Sequence, residues 1–314
     1  PATSTLEVAI YQALKFEFDP PRAMVLCLLQ LVLTGAVFAV LALFPDPEQD
    51  RGARQGDSFR PDAKTLVSRM ADGAVLLLFL LFVGAPLLAL AVSGLKADLL
   101  RLLGDPIFLK ALQTSVSMAL AAALLAVLLA TLVLRGGQAL RVRHPFVASL
   151  YRLPEFTLLI PPLALGAGWF LLLLDAGIAE NSAMVVVVSI NAVMALPFVF
   201  GVLGPELKTH EIRTKRLADS LDLHGIDRLL IVDWPALKTP LMTAFSFAAA
   251  LSLGDLGAVA LFGSDDFITL PSLLYGKLGS YRATDAAGLA LILAVLCLIL
   301  MLPVLRSDRS EEEA

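Results

Sequence analysis

Seven separate runs of about 20 apolar residues, near 23–44, 73–95, 113–134, 153–174, 183–203, 241–262 and 286–305, dominate the 314-residue chain. At 1.5 Å per residue such a run matches a hydrocarbon core about 30 Å thick, so each is a candidate membrane span. Inside lipid every backbone N–H and C=O needs an internal partner, and these runs lack the alternation of barrel strands, which leaves helices. The expected fold is therefore all-α, a polytopic membrane helix bundle with about seven transmembrane helices. The composition agrees, with 58% hydrophobic and 17% charged residues, far from the balance of soluble domains.

The connecting segments set the orientation. Those at 45–72, 135–152, 204–240 and 306–314 carry 17 Lys and Arg against 7 on the other side, with none inside a span. By the positive-inside bias, the polar segment 205–240 and the C-terminus are expected in the cytoplasm. A net charge of -4 provides no basic surface, so nucleic acid is excluded as a partner and membrane lipid is the expected surroundings. Cys27 and Cys297 each lie alone in an apolar run and read as packing residues, with no metal expected. The sequence opens at Pro1 with neither Met nor a basic leader and is expected to be a fragment without a signal peptide.

Enzyme chemistry finds no support. His144, His210 and His224 read as solvated loop residues without metal-ligand spacing. "YGKLGS" lacks the upstream glycine and the Ser/Thr of a phosphate loop, so no cofactor, ATP and magnesium included, is expected on this chain. An internal repeat is present instead. "TLEVAIYQALKFEFDPPRA" and "TLPSLLYGKLGSYRATDAA" share Thr5/Thr269, Leu6/Leu270, Tyr11/Tyr275 and Leu14/Leu278 at an offset of 264, and each leads into a span. Six spans separate the equivalents, so the copies are parallel. Residues 1–44 then read as the end of a first copy whose remainder is missing. Residues 45–72 are a Pro-, Gly- and charge-rich cytoplasmic linker, 73–305 a complete second copy, and 306–314 a tail.

Within 205–240, Ile226, Leu229, Leu230 and Trp234 fall at helical spacing on one face while Asp227, Arg228 and Asp233 point elsewhere. This describes a short amphipathic helix, opened by Gly225 and closed by Pro235. A helix this short has little stability of its own, so its apolar face is expected to dock on the bundle ends or on another protein.

The region resembles the cytoplasmic signature loop of binding-protein-dependent ABC importer permeases, whose pattern is Glu-Ala-Ala, a Gly, nine residues, then Ile-x-Leu-Pro. Arg216, Leu217 and Ala218 stand in the first three places, Asp222 in the glycine's, and Val232, Trp234 and Pro235 in the last, with the spacing intact. The resemblance implies the type I permease fold and a helix that couples residues 216–235 to an ATPase, through Arg216, Ala218, Asp222, Gly225, Ile226, Leu229, Val232, Trp234 and Pro235. Asp tolerates the left-handed conformation that a glycine at 222 would adopt. From about Thr5 to about Leu305 the chain is similar to the two-copy permease of the bacterial thiamine and thiamine-pyrophosphate importer. Ferric-iron importer permeases share that design, and an ion-driven secondary transporter is a further alternative. The resemblance implies two ATPase subunits holding ATP and magnesium, a periplasmic thiamine-binding protein, the first permease copy, and a multi-pass place in the inner membrane.

Asp255 is the one acidic residue well inside a span, where a carboxylate needs a watery path or a partner. A substrate contact and a packing or gating role, with Gly254 and Gly257 allowing close approach, both remain open. Asn191 reads as an interhelical hydrogen bond, and Trp169 and Phe170 as interfacial anchors.

Overall fold

The computed structural model describes residues 5–17, 19–41, 66–141, 157, 160–223, 225–264, 267–280 and 282–312. His144, His224 and most of the expected linker lie outside them. All regular structure among the described residues is helical: α1 (Leu6–Lys15), α2 (Pro20–Leu41), α3 (Leu66–Leu95), α4 (Leu99–Leu103), α5 (Pro106–Arg141), α6 (Pro162–Asp175), α7 (Ala179–Ser220), α8 (Gly225–Arg228), a π-helical turn (Leu229–Asp233), α9 (Trp234–Gly254), α10 (Gly257–Phe262), α11 (Leu270–Gly279) and α12 (Ala283–Glu312). Six of these helices are long and apolar enough to cross a membrane. They form a multi-pass membrane bundle.

Three expected boundaries move. Residues 66–72, expected in the linker, form the first turns of α3, and α12 runs to Glu312 through most of the expected tail. Within the span expected over 153–174, the described helix α6 is about 21 Å long and starts at Pro162, because Pro161 is extended (φ -61, ψ 138). Proline disfavours the helical conformation in the residue before it and is best tolerated in a first turn. The run 241–262 is broken: α9 ends at Gly254, Asp255 is extended (φ -73, ψ 129), and the short α10 follows.

The repeated stretches fold alike. Thr5 and Thr269, both extended, cap ten-residue helices by accepting the N–H of Val8 and of Ser272, each at 3.4 Å, and each helix leads into a long one. Thr269 adds a capping box with Ser272.

The centre is packed from alanine. Ala122, Ala123, Ala126 and Ala130 of α5 meet Ala192 and Ala195 of α7 and Ala244, Ala248 and Ala249 of α9, all buried. Small side chains let helices approach within dispersion contact, which matters in lipid because apolar burial there gives no hydrophobic gain. α1 packs on α6 and α10 through Ile10, Ala13 and Leu14, and α2 packs on α1 and α6. α3 is apolar on every side with none of its span window buried, as suits a lipid-facing helix.

α3 and α4 close on α12 through two glycines. A Cβ at Gly288 would lie 2.7 Å from Ala97 Cβ, and one at Gly94 2.7 Å from Leu291 Cβ and 2.8 Å from the Ala287 carbonyl oxygen. Gly288→Ala and Gly94→Ala are expected to cost about 1–3 kcal/mol each by overpacking. Thermal denaturation in detergent checks this, with Gly73→Ala, whose surroundings are open, as the control.

Candidate functional site

Two places in the bundle gather the residues singled out in the sequence. The first is one end of α7 and α9. α7 carries Pro197 and Pro205 yet continues to Ser220, so His210 and Arg216 sit on a helix, not in a loop. The turn that follows holds Asp222 at φ 54 and Gly225 at φ 59; Asp222 is the only non-glycine with positive φ among the described residues. Leu223 N–H donates to Ala218 O at 3.0 Å, and Ala218 is buried.

The segment 225–235 differs from the amphipathic helix expected of it. α8 passes into the π-helical turn and then directly into α9, with Pro235 in the first turn of α9. Pro235 therefore opens a helix and does not close one. The wider π turn breaks the 3.6-residue periodicity, so burial follows a different face. Leu230, Ile231 and Trp234 are 59%, 63% and 57% exposed, while Asp233 is 5% exposed. Arg216 and Pro235 are exposed, Val232 is half-buried, and the side chains of Ile226 and Leu229 lie outside the described set. Leu230 and Trp234, expected to need a docking partner, do not find it on their own bundle.

Asp233 holds the segment in place. Its Oδ2 lies 3.0 Å from Arg135 Nη2 of α5, and its Oδ1 lies 2.9 Å from His210 Nε2 of α7 and 3.8 Å from Arg228 Nε. Arg228 Nη2 donates to Glu211 Oε2 at 2.5 Å. One buried carboxylate thus ties three elements together. His210, expected to be solvated, has a side chain only 11% exposed.

The second place is a cleft of about 480 Å³. Glu7 of α1 and Gln30 and Thr34 of α2 line one part, and Asn191, Phe198, Ser252 and Asp255 another. The α9–α10 break turns Asp255 into it, with Asp255 Oδ1 accepting Gly257 N–H at 3.2 Å. Asn191 Nδ2 donates to Ser252 Oγ at 2.9 Å, both residues being buried, which fits the interhelical bond expected. Asn191→Leu removes that bond between α7 and α9, and a loss of about 0.6–1.7 kcal/mol in detergent melting is expected. Gly254 lies away from the cleft, and a Cβ there would meet nothing within 4 Å, so it provides no close approach. A Cβ at Gly257 would touch Asp255 Oδ1 and Pro162 Cβ at 3.5 Å, ordinary contact. Phe170, expected as an anchor, stacks edge-to-face on Phe262 at 5.4 Å, whereas Trp169 is 46% exposed.

A further cleft, about 530 Å³, lies against α10 and α11 and contains both repeat-related tyrosines, Tyr11 and Tyr275, with Lys277 and Arg282. Burial, and then the nearby Tyr275, push the Tyr11 phenol above its ordinary range.

No protein-family model matches the chain. It is 42% identical over 315 aligned positions to the thiamine transport system permease protein ThiP of Brucella abortus, covering 100% of this chain and 58% of that protein. The ThiP proteins of Escherichia coli and Haemophilus influenzae are 40% and 37% identical over 303 positions, covering 96% of this chain and 56% of each. The chain is a homologue of these permeases. It spans somewhat more than half of their length, and the similarity takes in α1 to α12, with both sites described above.

Sequence reading took His210 for a solvated residue, gave Asp233 and Arg228 no role beyond lying off the apolar face, and passed over Arg135, Glu7, Gln30 and Ser252. One signal was available for Asp233, an acidic residue between Val232 and Trp234 at the head of a span. Glu7, Gln30 and Ser252 carried no local signal, since 222 residues or more separate Glu7 and Gln30 from Ser252 and Asp255.

Proposed function

We propose that this chain is the membrane-spanning permease part of a bacterial ATP-binding-cassette importer for thiamine and its phosphates, and that it is a transport subunit with no enzymatic step of its own. What carries the reading is the similarity at 37–42% identity, along essentially the whole chain, to permeases named for thiamine transport.

In this account the segment 216–235 lies in the cytoplasm beneath the inner membrane, and Leu230, Ile231 and Trp234 dock in a cleft of an ATPase subunit that holds ATP and magnesium. A second ATPase serves a first permease copy, of which α1 and α2 are the last part. Closure of the ATPase pair draws the two coupling segments together. The Asp233 contacts pass that movement to α5 and α7, and the spans alternate between inward- and outward-open states beneath a loaded periplasmic binding protein. ATP acts by binding one state of the assembly more tightly than the other.

Proteoliposomes carrying the full two-copy permease, its ATPase and its binding protein test this. Labelled thiamine is expected to enter only with ATP. Uptake of ferric iron in its place would overturn the substrate, and uptake driven by an ion gradient without ATP would overturn the importer class.

A further inference from the structure

We propose that the cleft beside Asp255 is a binding site for a small, flat organic cation bearing N–H donors, shared between α1–α2 and the α7–α9 wall. This rests on the permease reading above and names the chemistry that its translocation path recognises.

Charge comes first. Among the described residues, the ionisable groups on the cleft's lining are Glu7 and Asp255, with no Lys, Arg or His beside them. Hydrogen bonding points the same way. Gln30 Oε1 and Asp255 Oδ2 are buried without a hydrogen-bond partner, a costly condition for acceptors away from water. Of the nearby amides, Asn191 Nδ2 donates to Ser252 Oγ and Gln30 Nε2 to Glu7 Oε1 at 3.4 Å, neither of them to the two unpartnered acceptors. The cleft therefore holds surplus acceptors and negative charge, which a ligand with N–H donors and a positive charge would satisfy together.

Size and surface select within that class. A volume of about 480 Å³ suits a small organic molecule, and Phe198 and Met194 on the same lining provide an aromatic face and a polarisable thioether for a flat cation. A bare metal ion fits poorly, since no group of three His, Cys, Asp or Glu able to hold one occurs among the described residues. Thiamine matches on each count, with its thiazolium charge and its aminopyrimidine N–H groups.

The test is equilibrium binding to the full two-copy permease with its ATPase in nanodiscs, without the binding protein. The probes are labelled thiamine, 4-aminopyridinium and ferric citrate. Thiamine and 4-aminopyridinium are expected to bind saturably and ferric citrate not to bind. Glu7→Gln and Asp255→Asn are each expected to weaken the two organic cations by about tenfold or more, as loss of a desolvated charge partner does. Asp255→Asn removes a charge that is costly at membrane depth, and Glu7 lies on α1, outside the six long apolar helices, so neither change impairs insertion. Unchanged binding in both variants, with ATP-dependent thiamine uptake intact in the wild type, would overturn the cleft assignment and leave the permease reading standing. If the wild type takes up no thiamine, the substrate reading fails. 4-Aminopyridinium then decides the cleft alone: binding that depends on Glu7 and Asp255 supports it, and none overturns it.

Discussion

Replacing Asp233 by leucine is expected to reduce ATP-driven uptake by more than about tenfold, with a loss in stability of about 2 kcal/mol. The carboxylate is buried and sits 3.0 Å from Arg135 and 2.9 Å from His210, so removing it strands at least one cation with no counter-charge. The stability loss is set below the 3–5 kcal/mol of a fully buried pair because the Arg135 and Arg228 side chains are 36% and 23% exposed and water can compensate them. The larger effect is expected on transport, because α5, α7 and the π-helical turn lose the contact by which, in the proposed account, they move as one. Asp233→Asn keeps the shape and one acceptor oxygen and should lie between wild type and leucine. Uptake normalised to folded complex, with melting in detergent, checks the order. Wild-type uptake in the leucine variant would remove the linkage.

Trp234→Glu and Ile231→Glu should have an effect of similar size by another route. Both side chains are more than half exposed, so a charge there costs the fold little, within about 0.5 kcal/mol. Against an ATPase cleft the same charges are buried without a partner, and loss of a central aromatic anchor weakens an interface by about 2 kcal/mol or more. The ATPase is expected to dissociate during purification while the permease melts as wild type does. Retention of the ATPase by both variants would place its docking surface elsewhere.

The helices were legible in the sequence because lipid leaves the backbone few choices: α2, α3, α5, α7 and α12 each coincide with a run of apolar residues. The exceptions have local causes that hydropathy does not weigh. Two adjacent prolines shorten α6, and a run without charge from 241 to 254 gives no warning that Asp255 will end α9. The repeat was readable because it preserves the caps, Thr5 and Thr269, as well as the spans. In the segment 216–235 the spacing and the left-handed tolerance of Asp222 could be read, and Asp222 does take positive φ. The inward turn of Asp233 could not, because a single π-helical turn shifts every later side chain relative to a 3.6-residue wheel. The cleft was hidden for a topological reason. Asp255 was visible as an ionisable residue at membrane depth, but its companions Glu7 and Gln30 reach it only through packing of α1 and α2 on α6 and of α1 on α10.

The most direct test of the coupling account is photocrosslinking from position 231. A photoreactive amino acid in place of Ile231, in the full two-copy permease expressed with its ATPase and binding protein, reports what that exposed side chain touches. A crosslink to the ATPase subunit, altered in yield when ATP closes the ATPase pair, is the result this account predicts. Crosslinks to lipid alone, or to the permease itself in every nucleotide state, would contradict it.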